Sequence, residues 1–161
     1  MIIRKLNYVI FVSTLMHLNS ATAGHSIGIS YSYGYIEDGA NISGVGVNFK
    51  YDMLSYKLMY SSTFLQSIKN KNDIYFKRKY LSLLGGIEYN MNHATDLYML
   101  LGLAGGSNIV NNQSHELYGP AAGFGVSFNI FETIEFNLGY EYSYISNKDI
   151  SSFNVGLGYL F

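Results

Sequence analysis

Cysteine is absent from this 161-residue chain, which excludes a disulfide framework and thiolate chemistry. Proline occurs once and charged residues make up only 13% of the chain, whereas aromatic residues reach 16%, a composition that favours strands over helices or disorder. After the N-terminal segment, glycine or polar residues interrupt every apolar run, so no run approaches the ~20 residues that a membrane helix requires. The sequence therefore excludes a helical membrane protein, and its charge gives no indication of nucleic-acid binding.

Large apolar side chains instead alternate with small or polar ones, most clearly in the segment that ends at Phe161. Because successive strand side chains point to opposite faces, each such segment has one face suited to lipid and one suited to water. We expect Tyr159 and Phe161 to form a C-terminal assembly signal. The alternation predicts eight strands over residues 26–35, 44–51, 55–64, 80–89, 95–106, 119–130, 134–144 and 152–161.

The N-terminal segment indicates which membrane is involved. A basic start at Arg4 and Lys5 precedes an apolar run and a small-residue site, so residues 1–23 have the pattern of a signal peptide cleaved before Gly24. A non-helical chain that spans lipid must close into a barrel to satisfy its backbone hydrogen bonds. Residues 24–161 are therefore predicted to form one outer-membrane β-barrel of a Gram-negative bacterium.

The lengths of the connections support an all-β, eight-stranded antiparallel up-and-down transmembrane β-barrel. Short turns alternate with longer segments, as periplasmic turns alternate with external loops in such barrels. The external loops are predicted at residues 36–43, 65–79, 107–118 and 145–151. The register of strand five is ambiguous because Tyr98 and Leu100 are apolar on the face opposite Leu101, and Pro120 is expected at a bulge or at the rim.

Charge decides which face lies inside the barrel. A soluble barrel of lipocalin type would turn its charged residues outward, but here the strand charges share the Gly/Ser/Asn face, opposite the bulky aromatic residues. Since a basic residue facing lipid costs ~2–4 kcal/mol at mid-membrane, these charges are predicted to form a luminal network that plugs the barrel. A catalytic or proton-conducting role for the network is the minor alternative. Its predicted members are Lys50, Lys57, Glu88, Glu135 and Glu141.

One external loop is strongly basic. Half of the ten Lys and Arg residues of the chain lie there, interleaved with Tyr75 and Phe76. Three interpretations stay open: a solvated loop, an anchor to lipopolysaccharide phosphates, and a contact with an anionic host ligand. The basic residues are Lys69, Lys71, Lys77, Arg78 and Lys79.

Other chemistry is poorly supported, and neither a cofactor nor a metal site is predicted. Ser114, His115 and Glu116 are hydrolase residue types, but neighbours in an extended loop point apart and cannot form a catalytic triad. His25 and His93 lie far from His115 in the sequence, without metal-ligand spacing. The chain is therefore predicted not to be an enzyme.

Four segments of the chain carry a family resemblance, namely residues 44–51 (GVGVNFKY), 118–129 (YGPAAGFGVSFN), 138–143 (LGYEYS) and 156–161 (GLGYLF). Through these segments the sequence resembles the Ail/Lom/OmpX family of small outer-membrane barrels. It implies a monomeric, non-enzymatic barrel whose external loops, in virulence-associated members, attach to host cells or matrix and confer resistance to complement. The alternative function is a structural outer-membrane component whose loops contact lipopolysaccharide only.

Overall fold

A computed structural model describes residues 25–161 except 38, 54–55, 72–73, 93 and 111–112, and the side chains of 69–76 and 108–116 are also outside the description. The predicted signal peptide, residues 1–23, therefore lies outside the described residues and stays a prediction. Among the described residues, no helix has the length and apolarity needed to cross a bilayer. The strands are β1 (His25–Ile36), β2 (Ala40–Asp52), β3 (Lys57–Lys71), β4 (Ile74–Asn92), β5 (Thr95–Val110), β6 (Gln113–Phe131), β7 (Ile134–Ile145) and β8 (Lys148–Leu160).

The eight strands form a closed antiparallel barrel in sequence order, which confirms the predicted fold class. The closing seam joins β1 to β8, where Ile29 pairs with Leu157 and Gly28 pairs with Gly158. Beyond β8, the backbone N–H of Phe161 donates to the carbonyl of His25 at 2.8 Å. Every strand therefore has two hydrogen-bonded neighbours, and the barrel has no open edge along its wall.

The alternation of faces is clearest in β5, whose register was ambiguous from the sequence. Leu101 is 73% exposed, whereas the adjacent Leu100 is 4% exposed. Tyr98 also points inward, and its ring lies over Gly125 and Gly139, where a Cβ would collide with the phenol. Because these two glycines provide the space, a large ring fits inside a narrow barrel. The lumen of this barrel is therefore filled by its own side chains.

The prediction of long external loops at residues 65–79 and 107–118 is wrong for most of their length. β3 runs to Lys71 and β4 begins at Ile74, and β5 and β6 likewise pair as far as Val110 and Gln113. Both segments are therefore extended hairpins rather than loops. Pairing between the strands satisfies the backbone hydrogen bonds outside the membrane as well. A strand in water needs no row of apolar residues facing lipid, so the sequence pattern did not reveal these strands.

The predicted loops at residues 36–43 and 145–151 are also too long, because the strands on either side extend into them and leave short turns between Ile36 and Ala40 and between Ile145 and Lys148. The β7–β8 turn places Ser146 and Asn147 at φ angles of 50° and 62°, the left-handed conformation that a two-residue type I′ hairpin turn uses at both central positions. Pro120 lies at the rim, because pairing of β6 with β7 begins one residue later, at Ala121. The alternative of a bulge is wrong, since the β5–β6 ladder continues through Leu103 and Pro120 without a shift.

Candidate functional site

The luminal charge network is centred on Lys50, which is 2% exposed. Its Nζ lies 2.6 Å from Glu88 Oε2 and 2.9 Å from Glu135 Oε2. The same ammonium donates to Ser127 Oγ at 2.7 Å and to Asn137 Oδ1 at 3.3 Å. Four strands supply these groups, so the network ties β2 to β4, β6 and β7 across the interior of the barrel.

A second cation extends the network toward the periplasmic turns. Lys57 Nζ lies 3.3 Å from Glu88 Oε1 and 2.8 Å from Asp96 Oδ2. Asp96 is 1% exposed and was missed by the sequence analysis. Its position on the face opposite the row that begins with Leu97 and Met99 was the signal that could have found it, because alternate residues of a strand share a face.

Glu141, predicted as a member of the network, lies apart from it. Tyr80 Oη donates to its Oε1 at 2.6 Å and Thr63 Oγ1 donates to its Oε2 at 3.1 Å. Among the described residues, no Lys or Arg forms an ion pair with it. Since Glu135 and Glu141 are six residues apart on β7, roughly 20 Å of strand separates them. The structure therefore brings together four of the five predicted luminal residues and places the fifth in a higher polar layer.

Above Glu141, a cluster of apolar side chains lies at the extracellular end of the lumen. Side chains from β1, β2, β3, β7 and β8 converge there, and each is less than 9% exposed. We call this cluster the apolar plug. Four of its members also line a cavity of about 70 Å³, together with Arg78, Lys79 and Lys148. The members of the plug are Ile36, Ile42, Leu65, Ile145 and Ile150.

The basic segment lies on an extended hairpin. β2 pairs with β3 only as far as Gln66, so Ser67 to Lys71 continue beyond the β2–β3 ladder. Lys79 pairs with Gln66, and Lys77 pairs with Ile68. β4 pairs in turn with β5, and β5 with β6, so the outer ends of β3–β6 form one four-stranded sheet, which we call the projecting sheet. Lys77, Arg78 and Lys79 are half-buried, and the side chains of Lys69 and Lys71 lie outside the described residues.

The predicted C-terminal assembly signal lies at the periplasmic end of the seam. The rings of Tyr159 and Phe161 are stacked with centroids 6.5 Å apart. His25 is buried beside them, and its ring stacks on Tyr51 at 4.6 Å. This arrangement joins the ends of β1, β2 and β8, while the role of the two aromatic residues as an assembly signal stays a prediction.

The structure brings no hydrolase or metal constellation together among the described residues. His93 and the side chains of Ser114, His115 and Glu116 lie outside the described part of the chain. Within the described ranges, no group of three or more His, Asp or Glu side chains could hold a metal ion.

Comparison with known proteins agrees with this architecture. Residues 8–161 match the family model described as the outer membrane protein beta-barrel domain. Virulence membrane protein PagC of Salmonella typhimurium is 28% identical over 97% of each chain, and outer membrane protein X of Escherichia coli K12 is 24% identical over 93% of this chain and 96% of the relative. A crystal structure of Ail, the attachment invasion locus protein of Yersinia pestis, in complex with the heparin analogue sucrose octasulfate, superposes with a TM-score of 0.80 at 24% identity, covering 88% of this chain and 100% of that one. The predicted resemblance to the Ail/Lom/OmpX group and the predicted location are confirmed: the chain belongs to the outer membrane protein β-barrel family and is an outer-membrane barrel of the PagC and OmpX type.

Proposed function

We propose that this barrel is a non-enzymatic surface protein whose projecting sheet attaches the bacterium to an anionic component of host cells or matrix. The observation that carries the proposal is the position of the basic residues. All five lie on the β3–β4 hairpin, at or beyond the point where β2 stops pairing with β3. Loops and hairpins held on a rigid scaffold are the usual place for binding residues in such folds.

The projecting sheet has the reach that attachment requires. From Ser67 to Lys71, β3 adds roughly 15 Å of strand beyond its pairing with β2, at ~3.3 Å per residue. Its backbone hydrogen bonds to β4 continue to the pair formed by Lys71 and Ile74. The basic segment is therefore held by a hydrogen-bonded ladder, which lowers the entropy lost when a large ligand binds.

The charge of the hairpin favours a polyanionic ligand. Half of the Lys and Arg residues of the chain lie within an eleven-residue stretch, residues 69–79, relieved only by Asp73. Such a concentration of one sign attracts polyanions over a distance of about a Debye length, ~8–10 Å. The sulfated ligand bound in the Ail structure supports the same ligand class, and we extend the proposal to a sulfated or carboxylated polysaccharide of the host matrix.

Neutralising the hairpin is expected to abolish attachment. A non-adherent laboratory strain that expresses the unmodified protein should gain binding to cultured cells and to immobilised heparin, and its survival in serum is scored in parallel. The quintuple change to Gln at positions 69, 71, 77, 78 and 79 should lose at least tenfold in heparin retention, because several charge-assisted contacts of ~1 kcal/mol each are removed together. The heat-modifiable mobility of the barrel on gels reports that the variant still folds.

A charge-preserving variant is the matched control. In this variant each of the four lysines is replaced by Arg and Arg78 is replaced by Lys, so every positive charge is kept. Its heparin retention should stay within about threefold of the unmodified protein. If the unmodified protein confers neither cell binding nor serum survival, the attachment proposal is wrong. If the Gln variant binds as well as the unmodified protein, the basic hairpin is not the binding surface.

A second candidate function, a structural component that contacts lipopolysaccharide only, is favoured by one observation. Lys77 and Lys79 continue the alternation of Leu81 and Leu83, which are exposed on the outer face of β4. Strand alternation thus places both lysines above the apolar belt, near the level of lipopolysaccharide phosphates. Under this candidate, changing Lys77 and Lys79 to Gln lowers the amount of lipopolysaccharide that co-purifies, while changing Lys69 and Lys71 has no such effect and no variant alters adhesion.

The luminal network fits a non-enzymatic, monomeric barrel in this proposal. Its cations and carboxylates partner one another, and the carboxylates are each no more than 2% exposed. We therefore assign the network the role of a structural plug that fixes the register of the wall.

A further inference from the structure

The cavity of about 70 Å³ at the extracellular end of the lumen combines an apolar wall with a basic rim. It lies between the apolar plug and the base of the projecting sheet, since residues of both line it. Neither the luminal charge network nor the attachment proposal uses its apolar wall. We propose that this cavity binds a short aliphatic carboxylate, with the hydrocarbon chain against the isoleucines of the plug and the carboxylate at the rim.

The wall of the cavity consists mainly of hydrocarbon. Four members of the apolar plug, all of them isoleucines, line it from β1, β2, β7 and β8. Leu117 lines it from β6 and is 36% exposed, although its alternation with the buried Ala121 turns it inward. Leu117 therefore faces the mouth of the barrel rather than lipid. Apolar surface in a concave site of this kind favours a ligand with a hydrocarbon part.

Gly106, on β5, leaves space in this wall that the packing of the barrel does not require. At Gly44, Gly86 and Gly119, a Cβ would collide with the backbone of a neighbouring strand, so these positions must be glycine. A Cβ at Gly106 would meet no heavy atom closer than 3.9 Å, and two of the three nearest atoms belong to the side chain of Ile145. Because glycine weakens the interior of a strand, a glycine without such a neighbour indicates a place that a ligand approaches closely.

The rim of the cavity is basic. Arg78, Lys79 and Lys148 line it, and the described residues of its lining include no Asp or Glu. Arg78 lies two residues before the buried Tyr80 on β4, and Lys148 lies two residues before the buried Ile150 on β8. Strand alternation therefore turns Arg78 and Lys148 toward the lumen. Guanidinium and ammonium groups form charge-assisted hydrogen bonds with carboxylates, so the rim favours an anionic group on the ligand.

The size of the cavity limits the hydrocarbon part of the ligand. A cavity of ~150 Å³ holds a benzene ring, so a cavity of about half that volume accepts roughly three or four carbon atoms of an aliphatic chain. Asp149 follows Lys148 in the sequence but lies on the opposite face, where Tyr142 Oη donates to its Oδ1 at 2.6 Å. A carboxylate of five or six carbons is therefore the ligand that matches both the wall and the rim.

The test is a titration with hexanoate of the barrel in phospholipid nanodiscs, followed by the NMR signals of ¹³C-labelled isoleucine methyl groups. The four isoleucines of the cavity should shift and saturate with a dissociation constant on the order of 1 mM. Ile29 and Ile87, exposed on the outer face, report partitioning of hexanoate into lipid and should not saturate with them. Hexanamide has the same chain without the charge, and it should bind at least about tenfold more weakly because it lacks the charge-assisted contacts.

Gly106→Val should fill the cavity and weaken hexanoate binding at least about tenfold, since a β-branched side chain is compatible with a strand. Gly85→Val is the matched control, because a Cβ at this outward glycine would meet only the Tyr60 ring, at 3.6 Å. Arg78→Gln should weaken binding about threefold or more, whereas Arg78→Lys should restore most of it. These two variants keep the test available if Gly106→Val does not fold, which heat-modifiable mobility reports.

Three results would overturn the assignment of this ligand. They are equal binding of hexanoate and hexanamide, unchanged binding by both Gly106→Val and Arg78→Gln, and shifts confined to the lipid-facing methyl groups. Hexanoate binding is measured without heparin, and Gly106→Val should leave heparin retention unchanged. Failure of the attachment proposal and failure of the carboxylate site are therefore distinguishable.

Discussion

Replacing Lys50 by methionine is expected to lower the free energy of unfolding by about 3–5 kcal/mol, the range for removing one partner of a buried ion pair. The methionine would fill similar volume, so the loss would come from the carboxylates that remain. Glu88 and Glu135 would each lose an ion pair, with Nζ distances of 2.6 Å and 2.9 Å in the unmodified barrel. Ser127 and Asn137 would lose the same donor.

The measurement is urea unfolding of the refolded barrel in lipid or detergent, followed by tyrosine fluorescence and gel mobility. Glu132→Met, which removes an exposed charge in the β6–β7 turn, is the matched control and should change stability by less than about 0.5 kcal/mol. In a Glu135→Gln background, Lys50→Met should lower the free energy of unfolding by less. One of the two carboxylates that lose Lys50 as a partner is already neutral in that background. A Lys50→Met barrel as stable as the unmodified one would show that the network does not hold the wall together.

Placing an arginine at Leu101 is expected to destabilise the barrel by about 2–4 kcal/mol, the cost of a basic residue facing lipid near the bilayer midplane. Leu101 is 73% exposed and lies midway along the outward row of β5, opposite Gly85 on β4. A soluble protein would accept this substitution, because arginine at a position so exposed to water removes little packing. The destabilisation therefore depends on lipid outside the wall.

Met91→Arg is the matched control for position along the bilayer. Met91 is also exposed, at 62%, but it lies at the periplasmic end of β4, where the side chain can reach water. Its cost should be about 0–1 kcal/mol. Equilibrium unfolding of both variants in phospholipid vesicles measures the difference, and equal costs at the two positions would argue against a lipid belt centred on Leu101.

The alternation of side chains was sufficient to predict the number of strands, their faces and most of the luminal charges. This is because the bilayer imposes a period of two: any residue on the wrong face of a spanning strand costs several kcal/mol. Leu83 and Lys50 were therefore assigned to the correct faces from neighbouring residues alone. Tyr98 was harder to assign, since its inward position depends on Gly125 and Gly139, which are distant in sequence.

This constraint does not apply outside the membrane, which explains why the β3–β4 and β5–β6 hairpins were predicted as loops. Between Ser67 and Lys79 the few apolar residues do not alternate with polar ones, since three of them are consecutive at residues 74–76, so nothing in the pattern distinguishes a strand in water from a loop. The sequence placed Lys50 and Lys57 at the depth of Glu88 and Glu135, as observed, but the partners of Glu141 could not be predicted. Whether Glu141 meets Lys50 or Tyr80 is decided by the tilt and stagger of the strands, which side-chain alternation does not encode.

The most direct test of the central claim is a nitroxide scan along β5, from residue 97 to residue 103, in phospholipid vesicles. The natural absence of cysteine allows single labels to be introduced without background. We predict that labels at positions 97, 99, 101 and 103 collide with lipid-dissolved oxygen and not with a water-soluble nickel complex, whereas labels at 98 and 100 are shielded from oxygen. Position 102 is left unlabelled, because a Cβ at Gly102 would collide with the backbone of Leu83. A scan in which the odd positions collide with the nickel complex, or in which oxygen accessibility shows no period of two, would contradict a lipid-facing wall around a filled lumen.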